Sequence, residues 1–95
     1  MAYTKGEIVL SLKGHDAGGL FCVLDAQDGF VRIVDGKGRK LENPKRKKLK
    51  HVRRVSRTDS RVAQKLASGD RLLNSELRRD LAKFGQEFMS QNQGG

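Results

Sequence analysis

The chain has 95 residues and a mass of 10.6 kDa, enough for one small domain with an appendage. Its 20 lysines and arginines against 11 aspartates and glutamates give a net charge of +9, and a hydrophobic content of 36% supports a modest core. With one cysteine and only short apolar runs, the composition excludes a disulfide-stabilised mini-protein, a multi-cysteine zinc site and a membrane-spanning segment. The N-terminal residues lack the pattern of a signal peptide, so we expect a cytoplasmic protein.

The excess positive charge lies in one segment of the chain. Residues 37–57 contain eleven basic side chains and a single acidic one, Glu42, for a net charge of +10, whereas the other 74 residues carry a net charge of −1. A protein that was basic only for solubility would not need this concentration. The distribution favours a nucleic-acid surface over a solvated run of charge.

The apolar pattern up to about residue 55 predicts short β-strands separated by glycine-rich turns. Asp-Gly pairs stand at residues 28–29 and 35–36, and Asp-Gly between apolar runs is a strong hairpin signal. Strands this short, with frequent turns, are typical of a small closed barrel, which leaves no exposed sheet edge. The five predicted strands are residues 7–12, 20–26, 30–34, 39–41 and 49–55.

From residue 58 onward the period of the apolar residues becomes helical. Thr58 or Asp59 is predicted to cap a helix that ends near Ala67, and Asn74 or Ser75 is predicted to cap a second helix. The second helix carries an apolar stripe, which predicts packing against the barrel or against the first helix. The stripe consists of Leu77, Leu81, Phe84 and Phe88.

No constellation of residues predicts catalysis or metal binding. Gly14 and Gly19 have the spacing of a phosphate-binding loop, but the lysine that should follow is missing. The two histidines, His15 and His51, are far apart in the sequence and lack further ligands at metal-binding spacing. Cys22 lies in an apolar strand without a nearby base, which favours a buried structural thiol. We therefore expect a non-enzymatic protein without catalytic residues, metal, cofactor or small-molecule substrate.

Two stretches of the chain carry a resemblance to a known family. Residues 6–25 (GEIVLSLKGHDAGGLFCVLD) resemble a KOW motif, and residues 34–52 (VDGKGRKLENPKRKKLKHV) are similar to a bacterial subfamily of KOW-domain RNA-binding proteins. That subfamily is related to a KOW-bearing large-subunit ribosomal protein family of archaea and eukaryotes. The resemblance implies an SH3-like barrel, which we assign as a mainly β, five-stranded barrel over residues 1–57. The residue pattern adds a two-helix extension over residues 58–90 and a disordered tail over residues 91–95.

The resemblance also implies binding to RNA, with structured ribosomal RNA and ribosomal proteins as partners and no membrane contact. His15 and Ala17 stand where relatives often have basic residues, which shifts the expected contact surface toward the basic segment. The expected RNA-binding residues are Lys13, Gly14, His15, Asp16, Gly18, Lys37, Arg39, Lys40, Lys45, Arg46, Lys47, Lys48, Lys50, His51, Arg53 and Arg54.

Other functions stay open at this point. A small barrel can act as a protein-interaction adaptor that docks onto transcription or translation machinery through the apolar stripe of the second helix or a barrel groove. The charge alone also permits non-specific DNA binding. Most of the five aromatic residues fall in apolar patterns and are expected in the core, so recognition of RNA backbone and shape is favoured over stacking of unpaired bases.

Overall fold

Five antiparallel strands are followed by two α-helices in the computed structural model, which describes residues 3–58 and 60–93. A single turn of 3₁₀ helix, Leu49–His51, lies between the last two strands. The strands are β1 (Glu7–Ser11), β2 (Leu20–Gln27), β3 (Phe30–Val34), β4 (Lys45–Lys48) and β5 (Val52–Arg57), and the helices are α1 (Ser60–Ser68) and α2 (Asn74–Gln93).

The sheet has the strand order β4–β3–β2–β1–β5, so its two end strands are consecutive in the chain. Only the 3₁₀ turn connects them. Three residues span at most about 11 Å even when extended. The ends of the sheet therefore lie close together, and the sheet curls on itself. The predicted fold, a small and mainly β barrel-like domain followed by two helices, is confirmed.

Of the two Asp-Gly pairs, one forms a tight hairpin and the other opens a long loop. Asp28 and Gly29 have φ angles of +55° and +82°, the pattern of the two-residue turns that match the twist of paired strands, and they join β2 to β3. The carboxylate of Asp35 instead accepts hydrogen bonds from the backbone N–H groups of Lys37 and Arg39, at 2.9 and 2.8 Å. These bonds favour a loop over immediate pairing, and the chain reaches β4 only after residue 44.

The fourth strand lies elsewhere than predicted. Residues 39–41 belong to the loop that spans residues 35–44, and the strand is β4, within the basic run KRKK. Nothing in the local sequence favours a strand there. Pairing with β3, from Phe30 opposite Lys48 to Ile33 opposite Lys45, outweighs the local preference. The predicted fifth strand also starts later, at β5, because its first residues form the 3₁₀ turn.

Alternation along the strands divides the apolar residues between two cores. On the outer face of the sheet, Cys22 of β2 and Val34 of β3 pack against Val62 of α1 and Leu77 of α2. Both helices therefore cover the sheet, as the apolar stripe predicts. The inner core of the curled sheet consists of Val9, Phe21, Val23, Val31, Ile33 and Val52.

The start of α2 is capped by a different residue from the two predicted. The side chain of Asn74 accepts a hydrogen bond from the N–H of Leu41 at 2.8 Å and donates to Glu42 at 2.6 Å, so it contacts the 35–44 loop. The carboxylate of Glu76 instead accepts from the N–H of Leu73 at 3.0 Å, which is the reach-back bond of a capping box.

The other predicted helix boundaries are close to those observed. α1 begins at Ser60, two residues after the buried Thr58, while the alternative cap, Asp59, lies outside the described residues. α2 continues to Gln93, so residues 91–93 of the tail predicted to be disordered are helical. Residues 94–95 lie outside the described part of the chain.

Candidate nucleic-acid interface

The loop between β1 and β2, residues 12–19, depends on glycine for its shape. Gly14 and Gly18 have φ angles of +83° and +87°, which residues with a Cβ rarely adopt. The N–H of Gly18 donates to the carbonyl of Ser11 at 2.8 Å, and the N–H of Ser11 donates to the carbonyl of Gly19 at 2.9 Å. We call this segment the first loop. Its two left-handed glycines are required by the turn itself, whatever the loop binds.

The first loop lies against the segment that follows β4. The N–H of Leu12 donates to the carbonyl of His51 at 2.9 Å, and the ammonium group of Lys47 donates to the carbonyl of Lys13. A Cβ placed on Gly14 would lie 3.1 Å from Nζ of Lys47, so the amine touches the turn itself. Lys47 is only 8% exposed. Its side chain therefore fixes the first loop instead of extending into solvent.

An ion pair joins the first loop to the loop of residues 35–44. The guanidinium group of Arg39 donates to the two carboxylate oxygens of Asp16 at 3.3 and 3.0 Å. Both side chains are largely covered, at 31% and 16% exposed. Because each neutralises the other, these two predicted contact residues hold the loops together and leave little free charge for a ligand.

Four lysines lie on the two segments that these hydrogen bonds join beside His51. Partial removal from water and the charges of Lys13, Lys50, Lys48 and Lys47 lower the pKa of His51 below its ordinary value. We call Lys13, Lys47, Lys48 and Lys50 the lysine cluster. Three of the four, all except Lys47, are exposed, and their side chains make no ion pair or hydrogen bond with another residue of the described part of the chain. An anion bound here would relieve the mutual repulsion of these charges.

The remaining predicted contact residues of the loops and of β4 differ in how far they are exposed to solvent. His15 is exposed in the first loop, and Lys37 and Lys40 are exposed in the loop of residues 35–44. Lys45 is half-buried at the start of β4, whereas the exposed Arg46 places its guanidinium carbon 3.8 Å from the centre of the Phe30 ring.

Two further predicted residues lie along β5. Arg53 is exposed. Arg54 forms an ion pair with the buried Glu7 and lies over the ring of Tyr3, 4.6 Å from its centre. Like Arg39, Arg54 is thus occupied by a carboxylate of the chain, whereas Arg53 forms no ion pair with the residues that the structure describes.

Phe30 and its surroundings are a part of the surface that the sequence interpretation missed. Most of the aromatic residues are expected in the core, but Phe30 is half-buried and belongs to neither core cluster. Val31 and Ile33 point into the inner core, so the period-two alternation of β3 turns Phe30 and Arg32 outward. That alternation was a signal available in the sequence.

The helices also hold the loop of residues 35–44, another contribution that the sequence interpretation missed. The guanidinium group of Arg78 donates to the carbonyl of Gly36 at 2.7 Å. Together with the bonds of Asn74 to Leu41 and Glu42, this contact fixes the loop at both ends to the first turns of α2. Hydrogen bonds between residues so far apart in the chain cannot be predicted from a local sequence pattern.

Within residues 3–58 and 60–93, no group of three or more His, Cys, Asp or Glu side chains is placed to hold a metal ion. The same part of the chain contains no helix that is both long and apolar enough to cross a bilayer. Cys22 is buried, and burial raises the pKa of its thiol to about 12, so it stays protonated at neutral pH. This agrees with the prediction of a structural cysteine.

Comparison with known proteins identifies no family for this chain. No protein-family model matches it, and no curated protein is significantly similar to it in sequence. The resemblance to KOW-domain proteins therefore stays a prediction carried by residues 6–25 and 34–52.

Proposed function

We propose that this protein is a non-catalytic RNA-binding protein of the cytoplasm that binds structured RNA, with ribosomal RNA as the leading target. The observation that carries the proposal is the lysine cluster, which the hydrogen bonds from Lys47 to Lys13 and from Leu12 to His51 bring together from two segments far apart in sequence. Repulsion between neighbouring exposed lysines raises the free energy of the unbound protein, and a bound polyanion reduces this repulsion. The resemblance of residues 34–52 to KOW-domain RNA-binding proteins points the same way.

The bound group is the phosphate backbone of the RNA. Lysines that contact phosphates release condensed counterions, which supplies affinity without requiring a particular base sequence. The first loop and the loop of residues 35–44 are tied together by the Arg39–Asp16 pair, and both loops carry exposed lysines. A fixed array of charges suits a folded RNA, whose phosphates also have fixed positions.

The adaptor alternative loses part of its surface to internal packing. Leu77 is fully buried and Leu81 is 7% exposed, so half of the apolar stripe is covered within the chain. Phe84 and Phe88, the other half, contact each other with ring centres 5.6 Å apart. An adaptor would therefore retain the partly buried Phe84 and Phe88, a barrel groove or the basic surface as its docking site, and on the basic surface its partner would be an acidic protein.

The test is a charge reversal with a matched control. Lys13, Lys48 and Lys50 are changed together to Glu, and in the control Arg71, Arg79 and Lys83, which are exposed near and along α2, are changed together to Glu. Both variants lose the same net charge. Lys47 is left intact because it is buried, and a carboxylate there would lose the bond to Lys13 and disturb the first loop.

Affinity for a stem-loop RNA is then measured by fluorescence anisotropy at several salt concentrations. Five or six neutralised phosphates predict a slope of log affinity against log salt of about −4 to −5 for the parent. Loss of three contacts should bring the slope to about −2, while the control keeps the parental slope. The proposal would be contradicted if both variants lost the same affinity, or if the variant at Lys13, Lys48 and Lys50 bound RNA as tightly as the parent. Competition by poly-glutamate as effective as that by RNA would favour the adaptor.

A further inference from the structure

A shallow hollow lies beside the lysine cluster, at the end of the β2–β3 hairpin. It is lined by Gly29, Phe30, Lys48, Leu49 and Lys50 and has a volume of about 330 Å³. This is at the lower end of the range for small-ligand pockets, which suits one planar group and not a stack of several. The N–H of Leu49 donates to the carbonyl of Gly29 at 3.0 Å, so two sides of the hollow are fixed relative to each other.

The hollow combines apolar surface with positive charge. Phe30 and Leu49 supply the apolar part, and both are only partly buried. Lys48, which is paired with Phe30 across the strands, and Lys50 are exposed cations that line the same hollow. Arg46 contacts the Phe30 ring but lines a neighbouring hollow, together with Phe30 and Arg32, and not this one. Aromatic side chains stack unpaired bases in RNA-binding proteins, and basic side chains beside them hold the phosphates.

Other occupants match this composition less well. A simple anion such as free phosphate would be attracted by the lysines but would gain nothing from Phe30 and Leu49. An apolar side chain of a partner protein would contact these two residues but would leave Lys48 and Lys50 without counter-charges. A nucleobase within an RNA chain brings both a flat apolar face and a phosphate on each side.

Building on the RNA-binding function proposed above, we propose that this hollow holds one unstacked base of the bound RNA. Phe30 and Leu49 contact the base, and Lys48 and Lys50 contact the phosphates that flank it. The preferred substrate is therefore a folded RNA in which a bulged or looped-out base interrupts a helix. Lys13 and the exposed lysines of the 35–44 loop contact the backbone of the adjoining duplex.

Two RNAs separate this proposal from RNA binding in general. One is a duplex with a single bulged adenosine, and the other is the same duplex without the bulge. Stacking of one base on an aromatic side chain changes affinity by about 5- to 150-fold, so we expect the parent to bind the bulged duplex tighter by a factor in this range. Phe30→Ala should remove this preference and leave the affinity for the uninterrupted duplex unchanged.

Replacement of the bulged adenosine by the fluorescent base 2-aminopurine gives a direct readout. Stacking on Phe30 should quench its fluorescence in the parent and in Phe30→Tyr, but not in Phe30→Ala or Phe30→Leu. Phe30→Leu keeps an apolar side chain at the start of β3, so it decides the result if the alanine variant does not fold. Melting curves of all variants establish which of them fold.

Each outcome has a separate meaning. Equal affinity of the parent for both duplexes, or an equal loss of both affinities in the folded Phe30 variants, overturns the base-binding proposal while RNA binding stands. Binding of neither duplex by the parent overturns both proposals. Poly-glutamate is the control for an acidic protein partner. If it displaces the RNA and restores the 2-aminopurine fluorescence, and if it also binds the Phe30 variants more weakly than the parent, the hollow belongs to an acidic protein and the proposal is overturned.

Discussion

Replacing Gly36 by alanine tests whether α2 is packed directly onto the loop of residues 35–44. Gly36 has a φ of +76°, and a Cβ built on it would overlap the carbonyl oxygen of Asn74 and lie 3.1 Å from Cβ of Leu77. The left-handed conformation costs a residue with a Cβ about 1–2 kcal/mol. The overlap with helix backbone adds about 1–3 kcal/mol, since neither atom lies at the end of a flexible side chain.

The expected total is a loss of about 2–5 kcal/mol in the free energy of unfolding. In a domain of this size, 1 kcal/mol changes the melting temperature by about 4–8 °C, so Gly36→Ala should melt about 8–40 °C below the parent. Thermal unfolding followed by circular dichroism measures this difference, and urea titration measures the free energy.

Two other glycines separate the two contributions. Gly69 has a φ of +77° with no atom within 4 Å of its hypothetical Cβ, so Gly69→Ala should show the conformational cost alone. Gly38 has neither a positive φ nor a close neighbour, so Gly38→Ala should change stability by less than about 1 kcal/mol. If Gly36→Ala were no less stable than Gly69→Ala, the close approach of α2 to this loop would be refuted.

Two further predictions concern Gly85 and His51. A Cβ at Gly85 would lie 3.6 Å from Cδ1 of Leu20, which is an ordinary contact. Because alanine favours a helix over glycine, Gly85→Ala should stabilise the protein by about 1 kcal/mol, as measured by urea titration. A destabilised variant would contradict this placement of α2. Partial desolvation and the charges of nearby lysines depress the pKa of His51, and bound phosphates offset the lysine charges. Binding should therefore take up a proton, and RNA affinity should rise as pH falls from about 7.5 to about 5.5 in the parent but less in His51→Gln. In the free protein, stability changes with pH in the opposite direction. Because the pKa of His51 is depressed in the folded state, its contribution to stability is present above the unfolded pKa of about 6.5 and is lost as pH falls through the folded pKa. Melting curves of the parent and of His51→Gln at several pH values measure this loss.

The elements that the sequence predicts well are those determined by neighbouring residues. The Asp28-Gly29 turn needs two left-handed residues in a row, and the chain supplies the pair that most easily adopts them. The strands on either side are short runs rich in apolar residues, and α2 repeats its apolar residues at helical spacing. In each of these cases the signal and the structure lie within the same short segment.

β4 could not be predicted in this way because its signal lies in other strands. The run KRKK has no apolar residue and follows Pro44, so local preference places a loop there. Only the pairing with β3 makes it a strand. That pairing also sets Lys47 opposite Val31, on the side of the inner core, and a shift of one residue would turn a different lysine inward. Charge density thus predicts where a ligand binds, but the register decides which lysines are free to bind it.

The helical extension also takes part in the proposed RNA surface, although it contributes no side chain to the lysine cluster. A loop as long as residues 35–44 would sample many conformations if it were held only at its ends, and ordering a backbone costs about 1–2 kcal/mol per residue. Asn74 and Arg78 of α2 hold this loop through Leu41, Glu42 and the carbonyl of Gly36. The loop is therefore ordered before RNA arrives, and its ordering does not reduce the affinity. Loss of helix packing should consequently weaken RNA binding even though every lysine of the surface is still present.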